Sequence, residues 1–310
     1  MADLTPLKII AFPGAPNLPL FAAIELGLFP KAGLAAELST TASSVYQFEQ
    51  FGAGAFDIAF TAYDNVVAYD EGQGAAKLPG PPDFRVVMGA AQTELSLVVA
   101  PGLKPADLKG KSLALDAVNT GFAFVLYAML DKLGLKEGDY ERVAVGATPD
   151  RWTSVKDGVH AATMTIEPFT SIARAAGFQI MSQSTGIFPA YQGGIVAARK
   201  AWIDAHPGPL KAFIGVYLDA LDWTLNPANA EAAATLLQAN MPDIKPQALG
   251  PVMKSLLSPR TGLTPKAAIL PDGMRAVLAL RSRYGKPGPA LTDIDKYLAL
   301  DAYEAAIRIR

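Results

Sequence analysis

The chain has 310 residues, a formal net charge of −2 and no cysteine. At roughly 100–200 residues per domain, this length predicts two domains, each large enough to bury its own core. The small net charge argues against nucleic acid or anionic lipid as a partner, and the lack of cysteine excludes disulfides, thiolate metal sites and cysteine nucleophiles.

The first part of the chain alternates short apolar runs with helical patterns. Asn17 is the expected N-cap of the first helix, and Gly27 is expected to end it. The predicted elements are strands over 7–12, 34–40 and 57–62, and helices over 17–26, 45–53 and 64–69. This βαβαβ order predicts a mostly parallel sheet with helices on both faces.

A Pro- and Gly-rich loop over 72–84 separates this series from a second one. Two predicted strands, 85–90 and 95–100, follow the loop. The second series then has strands over 111–116, 141–145 and 161–166, and helices after Asn119, over 149–157 and up to Gly177. From residue 201 onward the pattern is almost wholly helical, and no run approaches the ~18 uninterrupted apolar residues of a membrane span. Ligands of open α/β sheets bind beyond the carboxyl ends of the strands, so two facing domains would share one cleft.

The short motifs that could indicate nucleotide binding or catalysis lack the neighbouring residues and elements that those functions require. Gly52 and Gly54 precede a strand instead of following one, and the stretch KGKS at 109–112 lacks the earlier glycine of a phosphate-binding loop. Neither His160 nor His206 has a partner at metal-ligand spacing, and no G-x-S-x-G motif occurs. We therefore predict no catalytic residue, no metal and no cofactor.

Charged and aromatic side chains gather where the predicted strands end. The carboxylates are Asp64, Glu94, Asp116 and Glu167, whereas Arg151 is the one basic residue at an equivalent place in the second series. Tyr63 and Tyr191 lie among polar turn residues and are candidates for stacking on a ligand. These residues predict a small ligand that is neutral or cationic, and planar or aromatic; whether Arg151 faces the cleft stays open.

The turn at 119–122 has the composition of a binding loop. Asn119 or Thr120 would cap the following helix, Gly121 would let a ligand approach the backbone, and Phe122 would offer an apolar face. Free N–H groups of the first helical turn would then donate to a ligand acceptor.

Several segments, in their order, resemble periplasmic substrate-binding proteins of ABC importers, in the nitrate, sulfonate, taurine and thiamine-precursor group. They are LPLFAAIELGLFPKAGLAAELS, FGAGAFDIAFT, LKPADLKGKSLALD, VKDGVHAATMTIEPF and the stretch from ARKAW to NAEAA. The resemblance implies a type II periplasmic-binding fold of two doubly wound α/β domains, 1–92 plus 194–310 and 93–193, joined by hinges at AAQTEL and PAYQGG. It places seven residues at cleft loops: Asn17, Thr61, Tyr63, Asn119, Thr120, Gly121 and Glu167.

The resemblance also implies how the protein would work. A small molecule would bridge the two domains and stabilise their closed arrangement, which ABC permease and ATPase subunits would then recognise. We expect a monomer in the periplasm whose leader has been removed, since no signal sequence is visible. The alternatives are an enzyme on the same fold, such as a menaquinone- or thiamine-pathway enzyme, and an effector-sensing module detached from a regulator.

Overall fold

The computed structural model describes residues 4–310, which form two five-stranded sheets covered by helices. The strands are β1 (Thr5–Ala11), β2 (Leu34–Thr40), β3 (Ile58–Ala62), β4 (Phe84–Ala91), β5 (Ser96–Val99), β6 (Ser112–Leu115), β7 (Glu141–Ala144), β8 (Ala162–Thr165), β9 (Gln179–Gln183) and β10 (Gly194–Arg199). This mixed α/β architecture confirms the predicted fold class.

The α-helices follow the strands in the order expected of doubly wound units. They are α1 (Leu18–Glu25), α2 (Leu28–Lys31), α3 (Ser44–Gly52), α4 (Tyr63–Asp70), α5 (Gly121–Lys132), α6 (Thr148–Lys156), α7 (Phe169–Ala175), α8 (Lys200–Ala205), α9 (Pro207–Leu225), α10 (Ala230–Asn240), α11 (Pro246–Leu256), α12 (Pro271–Tyr284) and α13 (Asp301–Arg308). Within residues 4–310, no helix combines the length and the apolarity that crossing a membrane requires.

The first sheet has the strand order β2-β1-β3-β10-β4. Strands β1, β2 and β3 are parallel, and β10 enters antiparallel to both β3 and β4. The apolar strand β3 is almost wholly buried because helices cover both faces of the sheet. We call this sheet with its helices the first lobe.

The second sheet has the order β7-β6-β8-β5-β9, with β5 antiparallel to both of its neighbours. Strand β9, with the sequence QIMSQ, was not predicted. It is an edge strand of mostly polar, half-buried residues, so its sequence lacks the apolar run of a central strand. We call this sheet, with α5 to α7, the second lobe.

The chain passes between the lobes twice, through residues 92–95 and residues 184–193, which we call the crossovers. The crossovers are bonded to each other, since Gly193 N donates to Gln92 O at 2.9 Å. A Cβ on Gly193 would lie 2.4 Å from that same oxygen, so only glycine allows this approach. The division proposed from the sequence, 1–92 plus 194–310 and 93–193, stays a prediction that places the domain boundaries at these segments.

Candidate ligand-binding site between the two lobes

A cavity of about 100 Å³ lies between the lobes, at the strand ends where the sheets face each other. A cavity of roughly 150 Å³ is known to bind benzene, so a space of about 100 Å³ is of the order that a small organic group fills. Its walls are mainly apolar, and the larger apolar side chains are Phe12, Phe60, Phe122, Ile166 and Ile195. A small organic molecule fits this space and these walls.

Direct contacts between the lobes surround the cavity. Ala15 N donates to Glu167 O at 3.1 Å, and Ala147 N donates to Ala42 O at 2.9 Å. Ser44 N donates to both carboxylate oxygens of Asp116, at 3.1 and 3.3 Å. Each contact joins the first lobe to the second, so the two lobes meet around the cavity and both supply its walls.

The first turns of α4, α5 and α6 contribute to the cavity wall, through Asn65, Gly121 and Thr148 respectively. The first N–H groups of a helix lack intrahelical acceptors and carry the positive end of the helix dipole. Three such ends make the local potential more positive than the carboxylates in the sequence suggest.

Arg151 also lines the cavity, which answers the question the sequence left open. Its side chain is 3% exposed, Nη2 donates to Thr148 Oγ1 at 2.7 Å, and Nε is buried without a partner among the described residues. Burial lowers the pKa of Arg151 to about 10, while the charge of Asp116 opposes that change. The guanidinium is therefore still protonated at neutral pH.

Five of the predicted ligand residues line the cavity: Asn17, Thr61, Thr120, Gly121 and Phe122. Two of these side chains do not cap helices as predicted. Asn17 Nδ2 donates to Phe12 O at 2.8 Å, and Thr120 Oγ1 donates to Ala117 O at 3.2 Å. Both side chains bond to a carbonyl oxygen of the turn before their helix. They therefore do not cap the first N–H groups of α1 and α5.

The two tyrosines lie outside the cavity lining. Tyr63 is 0% exposed and packs edge-on against Tyr297, and Tyr191 is buried beneath Phe188. Burial raises the pKa of both phenols well above the usual range. The structure thus gives them the surroundings of core residues and offers neither ring to a ligand in this arrangement.

The carboxylates predicted at the strand ends also form hydrogen bonds within the protein. Glu94 accepts from Gln183 at 2.8 Å and from Thr185 at 2.5 Å, and Glu167 accepts from Ser171 Oγ at 2.9 Å. Asn119 lies outside the lining as well, with Nδ2 donating to Gln73 O at 3.3 Å. Of the four carboxylates at the strand ends, only Asp116 reaches the cavity wall, so the charge reasoning for a cationic ligand loses its basis.

Asp64 has a partner that lies 217 residues further along the chain. Its oxygens accept from Arg281 Nε at 2.7 Å and from Nη2 at 2.5 Å, and both side chains are about 1% exposed. Nη2 of Arg281 also donates to Asn119 O at 3.0 Å, which ties the pair to the second lobe. Sequence reasoning missed Arg281 because nothing local in α12 indicates a buried arginine.

Burial raises the pKa of Glu167, and its bonds from Ser171 only partly oppose this. The folded state therefore holds a proton where the unfolded state has lost it, and stability falls as pH rises from about 4.5 through the raised value. Relative to the wild type, E167Q is expected to unfold at higher urea near pH 7 and at similar urea near pH 4. Equal differences at both pH values would contradict this assignment.

Two facing α/β lobes, two crossovers and a cavity between the lobes at the strand ends define a type II periplasmic-binding fold. The chain belongs to the NMT1-like family, whose profile matches residues 2–238. The resemblance seen in the sequence is thus confirmed. No curated protein matched the chain significantly.

Several solved structures share the fold. A protein of Bordetella bronchiseptica RB50 is 23% identical, with 99% of this chain and 98% of that chain covered and a TM-score of 0.82. The periplasmic nitrate-binding protein NrtA of Synechocystis PCC 6803 is 16% identical (99% and 89% covered, TM-score 0.81). The alkanesulfonate-binding protein SsuA of Xanthomonas axonopodis pv. citri, bound to MOPS, is 17% identical (92% and 93% covered, TM-score 0.72). The desulfurization enzyme DSZB is 15% identical (99% and 100% covered, TM-score 0.66), so the fold also hosts catalysis.

Proposed function

We propose that this chain is the solute-binding component of an ABC importer, which captures one small organic molecule between its lobes. The main support is the cavity itself, which takes wall residues from both lobes and is closed by hydrogen bonds between them. A ligand there contacts both lobes only when they meet, so its binding energy favours the closed arrangement. The similarity to NrtA and SsuA agrees with this function.

Under this proposal the partners are a membrane permease and its ATPase, and the location is the periplasm. A single chain supplies both walls of the cavity, so a monomer is sufficient for binding. Closure brings surfaces of the two lobes into a fixed relation that a permease can distinguish from the open form.

The enzyme alternative has less support from the cavity. The lining includes two side chains that carry charge, Asp116 and Arg151, and no histidine. His160 bonds with Ser112 Oγ at 2.9 Å and His206 stacks on Trp202, both away from the cavity. A general base needs to reach the reacting atom, and Asp116 already accepts from a backbone N–H.

The test combines calorimetry, small-angle scattering and recovery of the bound compound, using a panel of small organic acids, amides and amines. We expect one-to-one binding, a smaller radius of gyration with ligand, and a ligand recovered chemically unchanged after long incubation. Conversion of a bound compound with turnover would show an enzyme and refute the transport function.

A further inference from the structure

The cavity contains a buried positive charge, Arg151, that forms no salt bridge with the one carboxylate in the same wall, Asp116. Arg151 is 3% exposed, and Asp116 acts on it through its charge, without a salt bridge between the two among residues 4–310. Its one hydrogen bond is to the neutral hydroxyl of Thr148. Buried charges in proteins are normally paired, because removing an ion from water without a counter-charge is costly.

The other charges near the cavity do not supply this pair. Asp116 acts on Arg151 through its charge from a distance, but both of its oxygens accept the N–H of Ser44 at the contact between the lobes, and neither bonds to the guanidinium. Asp64 is fully engaged by Arg281. The first turns of α4, α5 and α6 add further positive potential, so an anion is favoured over a cation at this wall.

The remaining walls favour an apolar body. Phe12, Phe60 and Ile195 line the first-lobe side, and Phe122 and Ile166 line the second-lobe side. At about 100 Å³, against roughly 150 Å³ for a cavity that binds benzene, the cavity has more space than a four-atom inorganic oxyanion fills. A nitrate ion would leave most of the apolar wall without a contact.

We propose that the ligand is an organic acid whose single anionic group pairs with Arg151. This proposal rests on the solute-binding function proposed above. Its body is a ring or a branched apolar group held between the phenylalanines. Arg151 is then the residue that determines charge specificity. The anionic group is a carboxylate or a sulfonate, since both accept charge-assisted bonds from a guanidinium.

One test needs no ligand. Replacing Arg151 by Met removes an unpaired buried charge and retains most of the apolar stem, so the melting temperature of the ligand-free protein is expected to rise by about 2–4 °C. R142M is the matched control, because Arg142 lies in the same lobe and pairs with Glu137 at the surface. If the melting temperature of R151M lies well below that of R142M, Arg151 is a structural residue and the proposal is overturned.

The second test compares acids with neutral compounds of the same shape. Calorimetry would use benzoate, benzenesulfonate, benzamide and nitrate, together with branched-chain acid and amide pairs. We expect at least one acid to bind ten-fold or more tightly than its amide, and R151M to weaken that acid about 10- to 100-fold. R151K should retain part of the affinity and R142M all of it. Benzoate and benzenesulfonate distinguish the two kinds of anion.

The outcomes separate this proposal from the function on which it rests. Tight binding of amides or amines, with acids weaker, would overturn the charge assignment and leave solute binding intact. Tight binding of nitrate alone would also overturn it, because the apolar wall would then have no role. Binding of nothing in the panel would count against the proposed function, and the melting comparison would still decide the role of Arg151.

Discussion

Replacement of Arg281 by Met is expected to lower the free energy of unfolding by about 3–5 kcal/mol, which is the cost of leaving a buried charge unpaired. Arg281 is 0% exposed, and it is the only charged partner of the equally buried Asp64 within residues 4–310. Its guanidinium also lies 4.8 Å from the ring centre of Phe124. The measurement is urea unfolding followed by circular dichroism.

R283M is the matched control on the same helix. The side chain of Arg283 is 65% exposed, and its pair with Asp131 is worth about 0–1 kcal/mol. A double variant that replaces both members of the buried pair, R281M with D64L, is expected to recover much of the loss. A loss for R281M no larger than that for R283M would show that the buried pair is not needed for stability.

Replacement of Gly121 by Val is expected to weaken ligand binding about 5- to 150-fold, while the fold is retained. A Cβ at Gly121 would lie 2.4 Å from Asp64 Cβ and 2.6 Å from Asp64 Cγ, so the lobes cannot meet without displacing the buried pair. Overpacking of this kind costs about 1–3 kcal/mol, and here the cost falls on the closed arrangement. Calorimetry with the tightest compound of the panel measures the change.

G215V is the control for this substitution. Gly215 is also a helical glycine, in α9, and a Cβ there meets nothing within 4 Å. Ligand affinity should therefore be unchanged in G215V. Unchanged affinity in G121V, with an intact circular dichroism spectrum, would show that the approach of Asp64 to Gly121 has no part in binding.

The architecture was predictable because its determinants are local. The strand at 34–40 alternates with helical patterns around it, and β2 occupies that same range in the structure. Glycine at 27 ends α1 in a left-handed conformation, as its position indicates. The edge strand β9 was missed because its register comes from pairing with β5, which its own mostly polar residues do not reveal.

The site was predictable only in part, because charge and burial are properties of neighbours that are distant in sequence. Thr61 near the end of β3, and Gly121 and Phe122 after β6, indicate the cavity correctly. Asp64, by contrast, is at the end of a strand like the others, yet Arg281 from the C-terminal part of the chain neutralises it. Tyr191 has polar neighbours in sequence and is nevertheless enclosed by the packing of the crossovers and α12.

The hydrogen bond between Gly193 and Gln92 in the two crossovers restricts how the lobes can move relative to each other. Because Gly193 is bonded to Gln92 and packed against Thr93, the two segments behave as one ribbon of two strands. Sliding of one crossover along the other would break this hydrogen bond, whereas a hinge rotation that bends both segments together would keep it, so we expect rotation to be the favoured motion of the lobes. A one-residue insertion in either crossover would offset the ribbon, and the cavity walls would then meet out of alignment even though each lobe folds correctly.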